Sequence, residues 1–211
     1  ARSLKGSGTM GSDGMEMLFA TSNSHKVYEA SATLSQFGYI VSQLEINGKI
    51  PELTEPQSEG IDEVALSKIR QARELVRGTQ MEDKAILVED SGIFIESLDG
   101  FPGPYSSYVE RTIGLRGILD LLQTDLERRA EYRAVAVISM EGETISASGV
   151  CCGTISKKIS GDMGFGFDPI FIPEDGDGRT CGEMTPDEKS AMSHRGRALK
   201  ALSELLNLPS K

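Results

Sequence analysis

The chain has 211 residues, 38% hydrophobic and 26% charged, with a formal net charge of −10. That length carries a domain with a full core, and the composition is that of an ordinary globular protein. The negative balance argues against a nucleic-acid partner held through its phosphates. No apolar run approaches ~18 residues, which argues against a membrane-spanning helix.

The opening residues 1–14, ARSLKGSGTMGSDG, are Gly/Ser-rich and lack the apolar centre of a signal peptide; they read as a disordered leader, leaving 15–211 as a single domain. MLFA (17–20) predicts a short strand. After the polar TSNSHK (21–26), Val27, Ala30, Leu34 and Phe37 recur at helical spacing and Gly38 supplies a stop. YIVSQL (39–44) predicts a second strand, and 46–60 a loop rich in turn residues and carboxylates. Ile61, Val64, Ala65, Ile69, Ala72 and Val76 mark an amphipathic helix closed by Gly78. AILVED (85–90) reads as a buried strand, 114–123 as a helix, and YRAVAVISM with ETISASGVCCGTI as a long hairpin about a Glu-Gly turn. Thr185, Pro186 and Glu188 form a capping-box pattern, and Ala198, Leu199, Leu202, Leu205 and Leu206 line a last helix. Strands alternating with helices early and a hairpin late give an α/β fold with a mixed sheet.

Several stretches carry groups suited to chemistry. Thr21, Ser22, Asn23, Ser24, His25 and Lys26 join a strand to a helix, where backbone N–H groups and the positive end of the dipole suit a phosphate; ordinary helix capping explains the same residues. Glu89 and Asp90 end the buried strand as read above, at a sheet edge where α/β ligands bind, and a carboxylate there can hold Mg²⁺ or orient a water. Being adjacent in a strand, they point to opposite faces and need not share a role. Glu52 lies in the acidic loop with Glu45, Glu55 and Glu59, and joins Asp90 in a metal site if that loop folds back. In FGFDP, Phe165 or Phe167 offers a flat face to a base, Gly166 permits close backbone approach, and Pro169 holds Asp168 extended; a core turn with buried phenylalanines is the plainer alternative. Lys189, His194 and Arg195 gather donors around a helix start, against the dipole's preference, unless an anion or carbonyl ligand resolves the conflict. Two histidines in the whole chain rule out a His-rich metal site. The three cysteines, Cys151, Cys152 and Cys181, are odd in number and without CxxC spacing, which fits a reducing cytoplasm.

FATSNSHK, LVEDSGIFIESLDGFPGPYS, GFGFDPIF and EKSAMSHRGRAL, in this order over about 18–199, resemble the inosine triphosphate pyrophosphatase family. The resemblance implies a long twisted mixed sheet with flanking helices, two lobes around a nucleotide cleft, and hydrolysis of ITP, dITP and XTP to monophosphate and pyrophosphate. It also implies dependence on Mg²⁺, a homodimer and a purine nucleoside triphosphate as the partner. It assigns Thr21 to Lys26 to phosphate binding, Asp90 to metal and water, Glu52 to the metal, Lys68 to the phosphates and Ser91 to an adjoining nucleotide contact. Phe165, Gly166, Phe167 and Asp168 fall in the base-binding segment, and Lys189, His194 and Arg195 supply the remaining nucleotide contacts. Ser22 stands where many members carry Gly, and Phe167 where some carry a larger aromatic. Two alternatives remain from the residues themselves: an Asp-nucleophile phosphatase releasing orthophosphate, and a nucleotide-sensing module without catalysis.

Overall fold

The computed structural model describes residues 14–124 and 127–207. The stretch read as a leader thus lies outside the described residues except for Gly14.

The described chain opens with an alternating α/β arrangement of strand β1 (Met15–Phe19), helix α1 (Ser24–Ser35), strand β2 (Tyr39–Gln43), helix α2 (Ile61–Val76) and strand β3 (Ala85–Ile95). A two-residue strand β4 (Pro102–Gly103) and short helices α3 (Ser106–Thr112) and α4 (Gly114–Leu121) follow. Then come the long strands β5 (Arg129–Met140) and β6 (Glu143–Ile155), strand β7 (Phe171–Pro173), and helices α5 (Pro186–Met192) and α6 (His194–Leu206). The sheet runs β2-β1-β3-β5-β6-β7, with β4 beside β3. β1 is parallel to β2 and β3, and every other pairing is antiparallel, so the sheet is mixed as the element order predicted.

Three apolar clusters stabilise it. On one face, α1 and α6 cover β1, β3 and β5 through Phe19, Leu34, Leu87, Ala136, Leu199 and Leu202. On the other, α2 lays Ala65, Ile69, Ala72 and Val76 against Ile86, Val88 and Val137. The far ends of β3, β5 and β6 form a second lobe with α3, α4 and the 167–181 segment, including Ile93, Ile95, Ile118, Tyr132 and Phe171. The β5–β6 hairpin turns at Glu141 and Gly142 with φ of 52° and 82°, the paired left-handed values that a two-residue turn matching strand twist requires.

One expectation needs correction. The strand read as ending at Asp90 continues to Ile95, because SGIFI keeps an apolar alternation that pairs with β5 as far as Ile95↔Ala130. α3 begins at Ser106, whose hydroxyl donates to the Gly103 carbonyl and accepts from the Ile93 N–H, tying the helix start to β3.

Gly149 in β6 fixes how near α6 lies to the sheet. A Cβ there would sit 2.2 Å from the His194 carbonyl oxygen and 2.4 Å from the Ala198 nitrogen. Gly149→Ala is therefore expected to lift the start of α6 and destabilise the fold by about 1–3 kcal/mol. Calorimetry should record a fall in Tm of roughly 2–10 °C.

Candidate active site

β1 pairs with β3 only as far as Phe19↔Leu87, so the continuing β3 leaves Glu89 and Asp90 beside an open edge. There the chain turns away through residues 20–23 into α1, and a cleft of about 600 Å³ opens between the two lobes. Its wall takes in every site residue named from the sequence except Ser24. Lys26, Asp90 and Phe165 thus face one space.

The alternation of β3 sorts the two acids. Ile86 and Val88 pack toward α2, and Asp90 continues that face; Leu87 packs toward α1 and α6, and Glu89 continues the other. Asp90 accordingly meets Lys68 of α2, whose Nζ lies 2.6 Å from Asp90 Oδ1 and 2.6 Å from Glu55 Oε1. Glu89, with no exposed side-chain surface, meets Lys26 Nζ at 2.8 Å and Arg195 Nε at 3.4 Å. Neither approach is aligned as a hydrogen bond, so both Glu89 carboxylate oxygens, Asp90 Oδ2 and Arg195 Nε are buried without such a partner.

Burial by itself would raise both carboxyls. For Glu89 the attraction of Arg195 and then Lys26 outweighs it and holds the group far below the usual carboxylate range. For Asp90 burial prevails over Lys68 and Lys26, and its carboxyl lies above the ordinary value. Side by side, one acid is a fixed anion and the other takes a proton more readily, the separation expected where acid–base work is done.

On the opposite wall, Gly164 and Gly166 take φ of 75° and 63° on either side of Phe165. Asp168 Oδ2 accepts the Phe165 N–H at 2.9 Å and the Lys189 ammonium at 2.7 Å. Pro169 was expected to hold Asp168 extended, but Asp168 opens a short 3₁₀ turn, Asp168–Ile170; the buried ion pair and the Phe165 N–H override the local preference. Phe167 is buried in the second lobe and Phe165 is half-buried, so Phe165 is the ring presented to the cleft. His194 is buried and its ring stacks on Tyr132 at 4.4 Å and 6°. Burial, then the Arg195 charge, pushes its pKa well below the usual histidine value, so it is a neutral donor–acceptor. Arg195 also donates to the Ser91 hydroxyl at 3.2 Å.

The helix starts are built locally. Asn23 caps α1, its side chain accepting from the N–H groups of His25 at 3.0 Å and Lys26 at 3.4 Å, while Thr21 Oγ1 accepts from Asn23 N–H. These N–H groups, expected to be open to a phosphate, are therefore already engaged by capping. Thr185 closes a capping box with Glu188, and Ser193 caps α6 through the Gly196 N–H, which places Lys189 in α5 and both His194 and Arg195 in the first turn of α6.

Three contributors went unread in the sequence. Glu29 receives Lys189 at 3.0 Å and also Arg195, locking the two donors together; its signal was the position three residues after Lys26, on the same helical face. Glu55, not Glu52, reaches Lys68, whereas Glu52 lines the cleft and forms no ion pair among the described residues. Tyr132 had no local signal beyond strand alternation. A larger groove, about 1380 Å³, opens beside β4 and β7, and the ion pairs on its wall, Arg133 with Glu131 and Arg129 with Glu96, lie at the surface.

The pattern of the Ham1 family matches residues 17–205. A dITP/XTP pyrophosphatase of Pyrococcus horikoshii is 45% identical over 197 residues, covering 93% of this chain and all of that protein. One from Thermococcus kodakarensis is 42% identical over 91% of this chain and 97% of its own length. Among solved structures, the Staphylococcus aureus Ham1 protein superposes with a TM-score of 0.75 at 25% identity, over 90% of this chain and 97% of its own. A HAM1 protein from Coxiella burnetii gives 0.73 at 28% identity, over 91% and 98%.

Glu89→Gln should destabilise the fold by about 3 kcal/mol at pH 7, since it leaves buried cations short of an anion. A carboxyl held low by folding contributes stability in full above its unfolded value, and that contribution is lost as pH falls toward the folded value. The gap between wild type and variant should therefore close as pH drops below 4.5, measured by denaturant unfolding at each pH.

Proposed function

The chain belongs to the Ham1 family, and from that premise we propose that it hydrolyses the non-canonical purine nucleotides dITP, ITP and XTP to nucleoside monophosphate and pyrophosphate. The observation that carries this reading is one cleft in which Lys26, Lys68, Lys189 and Arg195 surround buried carboxylates with unsatisfied oxygens, next to the half-buried ring of Phe165. A triphosphate tail suits the Lys26–Lys68 side, and a flat base suits the Phe165–Arg195 side.

Water attacks the α-phosphorus in this scheme and pyrophosphate leaves. Asp90 orients that water and accepts its proton; its raised carboxyl makes it the better base of the two acids. Lys26 and Lys68 offset charge on the phosphate oxygens. Mg²⁺ fits the donor set: Asp90 Oδ2 is a hard, buried oxygen without a hydrogen-bond donor, and Glu52 borders the same space. Among the described residues no three His, Cys, Asp and Glu side chains form a cage, and Mg²⁺ commonly takes one or two carboxylates plus substrate phosphate. When bound it would supply charge neutralisation on the phosphates.

Base selection rests on donors. Inosine and xanthine present a carbonyl at position six, which accepts from Arg195, Lys189 or neutral His194, whereas the amino group of adenine meets donors with a donor. The reading extends to a cytoplasmic homodimer. The three cysteines are free thiols, no described helix is long and apolar enough to cross a membrane, and exposed Phe101, Tyr105 and Tyr108 give a second copy an apolar surface.

Asp90→Asn should retain the fold and lose at least about 10²-fold in kcat. The assay is a panel of nucleoside triphosphates with Mg²⁺, scored for pyrophosphate; orthophosphate as the product would favour the Asp-nucleophile phosphatase instead. Arg195→Lys keeps the buried charge but loses the planar fork. The preference for ITP over ATP should narrow about tenfold with one charged hydrogen bond removed, read as the ratio of kcat/KM values.

A further inference from the structure

His25 was placed with the phosphate loop by its position in TSNSHK, yet its ring points to the other end of the cleft. The imidazole stacks on Phe165, ring centroids 5.2 Å apart and planes 23° from parallel. Lys189 Nζ and Arg195 Cζ also lie over the Phe165 ring, at 4.8 and 5.3 Å from its centroid. These three neighbours differ in freedom. Lys189 and Arg195 are buried and tied to Glu29, with Asp168 and Glu89 as further partners. His25 is exposed, and its side chain has no hydrogen-bond or ion-pair partner among the described residues, although its backbone is pinned by the Asn23 cap.

A planar base slotted between two rings needs roughly 3.5 Å on each side, hence about 7 Å between them. At 5.2 Å no such slot exists between His25 and Phe165. Of the groups over the platform, only His25 can rotate away without breaking a buried ion pair. We infer that the His25 side chain is a gate over Phe165: it covers the ring on which the purine stacks and must swing aside before the base is seated. The inference rests on the reading of Phe165 as the base platform. It moves His25 from phosphate binding to control of base affinity, and it makes the stacked conformer a competitor of the nucleotide.

A competing aromatic stack lowers the binding-competent fraction, so the apparent affinity falls by that fraction; for one stacked pair this amounts to about two- to tenfold. The test is calorimetric titration of the full chain with inosine 5′-monophosphate, which carries the base, and with inorganic tripolyphosphate, which does not. His25→Ala should bind the monophosphate about two- to tenfold more tightly and tripolyphosphate as the wild type does. Its Tm should match the wild type, since the deleted group is exposed and unbonded. Unchanged or weaker monophosphate binding overturns the gate, as does an equal change for both ligands. Phe165→Leu separates the two readings. If it weakens the monophosphate while His25→Ala brings no gain, the platform stands and the gate falls; if it binds the monophosphate normally, platform and gate fall together.

Discussion

The structure depends on a buried chain of alternating charges: Asp168, Lys189, Glu29, Arg195, Glu89, Lys26. It joins α1, β3, the turn after Phe165, α5 and α6, and so ties the first lobe to the segment that carries Phe165. Buried ions are tolerated only when paired, and desolvation costs several kcal/mol for each. Lys189 has both neighbouring acids within 3.0 Å. The other end is looser: Glu89 has ion contacts without aligned hydrogen bonds, and Arg195 Nε has none. The charges are thus organised but not saturated, which is the condition of a preorganised polar site rather than of a structural ion pair.

Backbone devices keep that organisation in place. β1 stops two residues short of the acids, Gly149 lets α6 lie close to the sheet, and the glycines flanking Phe165 take a conformation that brings the ring to the cleft while Asp168 turns back to hold its N–H. Each places a charged or aromatic group where the next must meet it. The division of labour between the adjacent acids follows from strand geometry alone. One faces the helix that carries Lys68, the other the helices that carry Lys26 and Arg195, and their proton affinities part accordingly.

Much of this was legible in the chain. Helical spacing from Val27 and from Ile61, the capping box at Thr185 and the Glu-Gly turn each stated a local preference that the structure satisfies. The site motifs were legible as chemistry, and all but Ser24 line one cleft. What misled was locality itself. Glu52 and Glu55 are both acids of one loop, and nothing within the loop says which will find Lys68. Pro169 argued for an extended Asp168, and a buried lysine twenty-one positions away decided otherwise. TSNSHK read as one phosphate loop, though the Asn23 cap takes its N–H groups and the ring of His25 leaves it for Phe165.

The sequence by itself determined the mixed α/β plan, the order of the motifs and the opposite facing of Glu89 and Asp90, because propensity, capping and strand alternation act over a few residues. Only the tertiary structure decided the register that ends the β1–β3 pairing at Phe19↔Leu87, the choice of Glu55, the bridging role of Glu29 and the stacking of His25 on Phe165. Those outcomes depend on distances between segments far apart in the chain, which are set when apolar faces pack and buried charges must find partners.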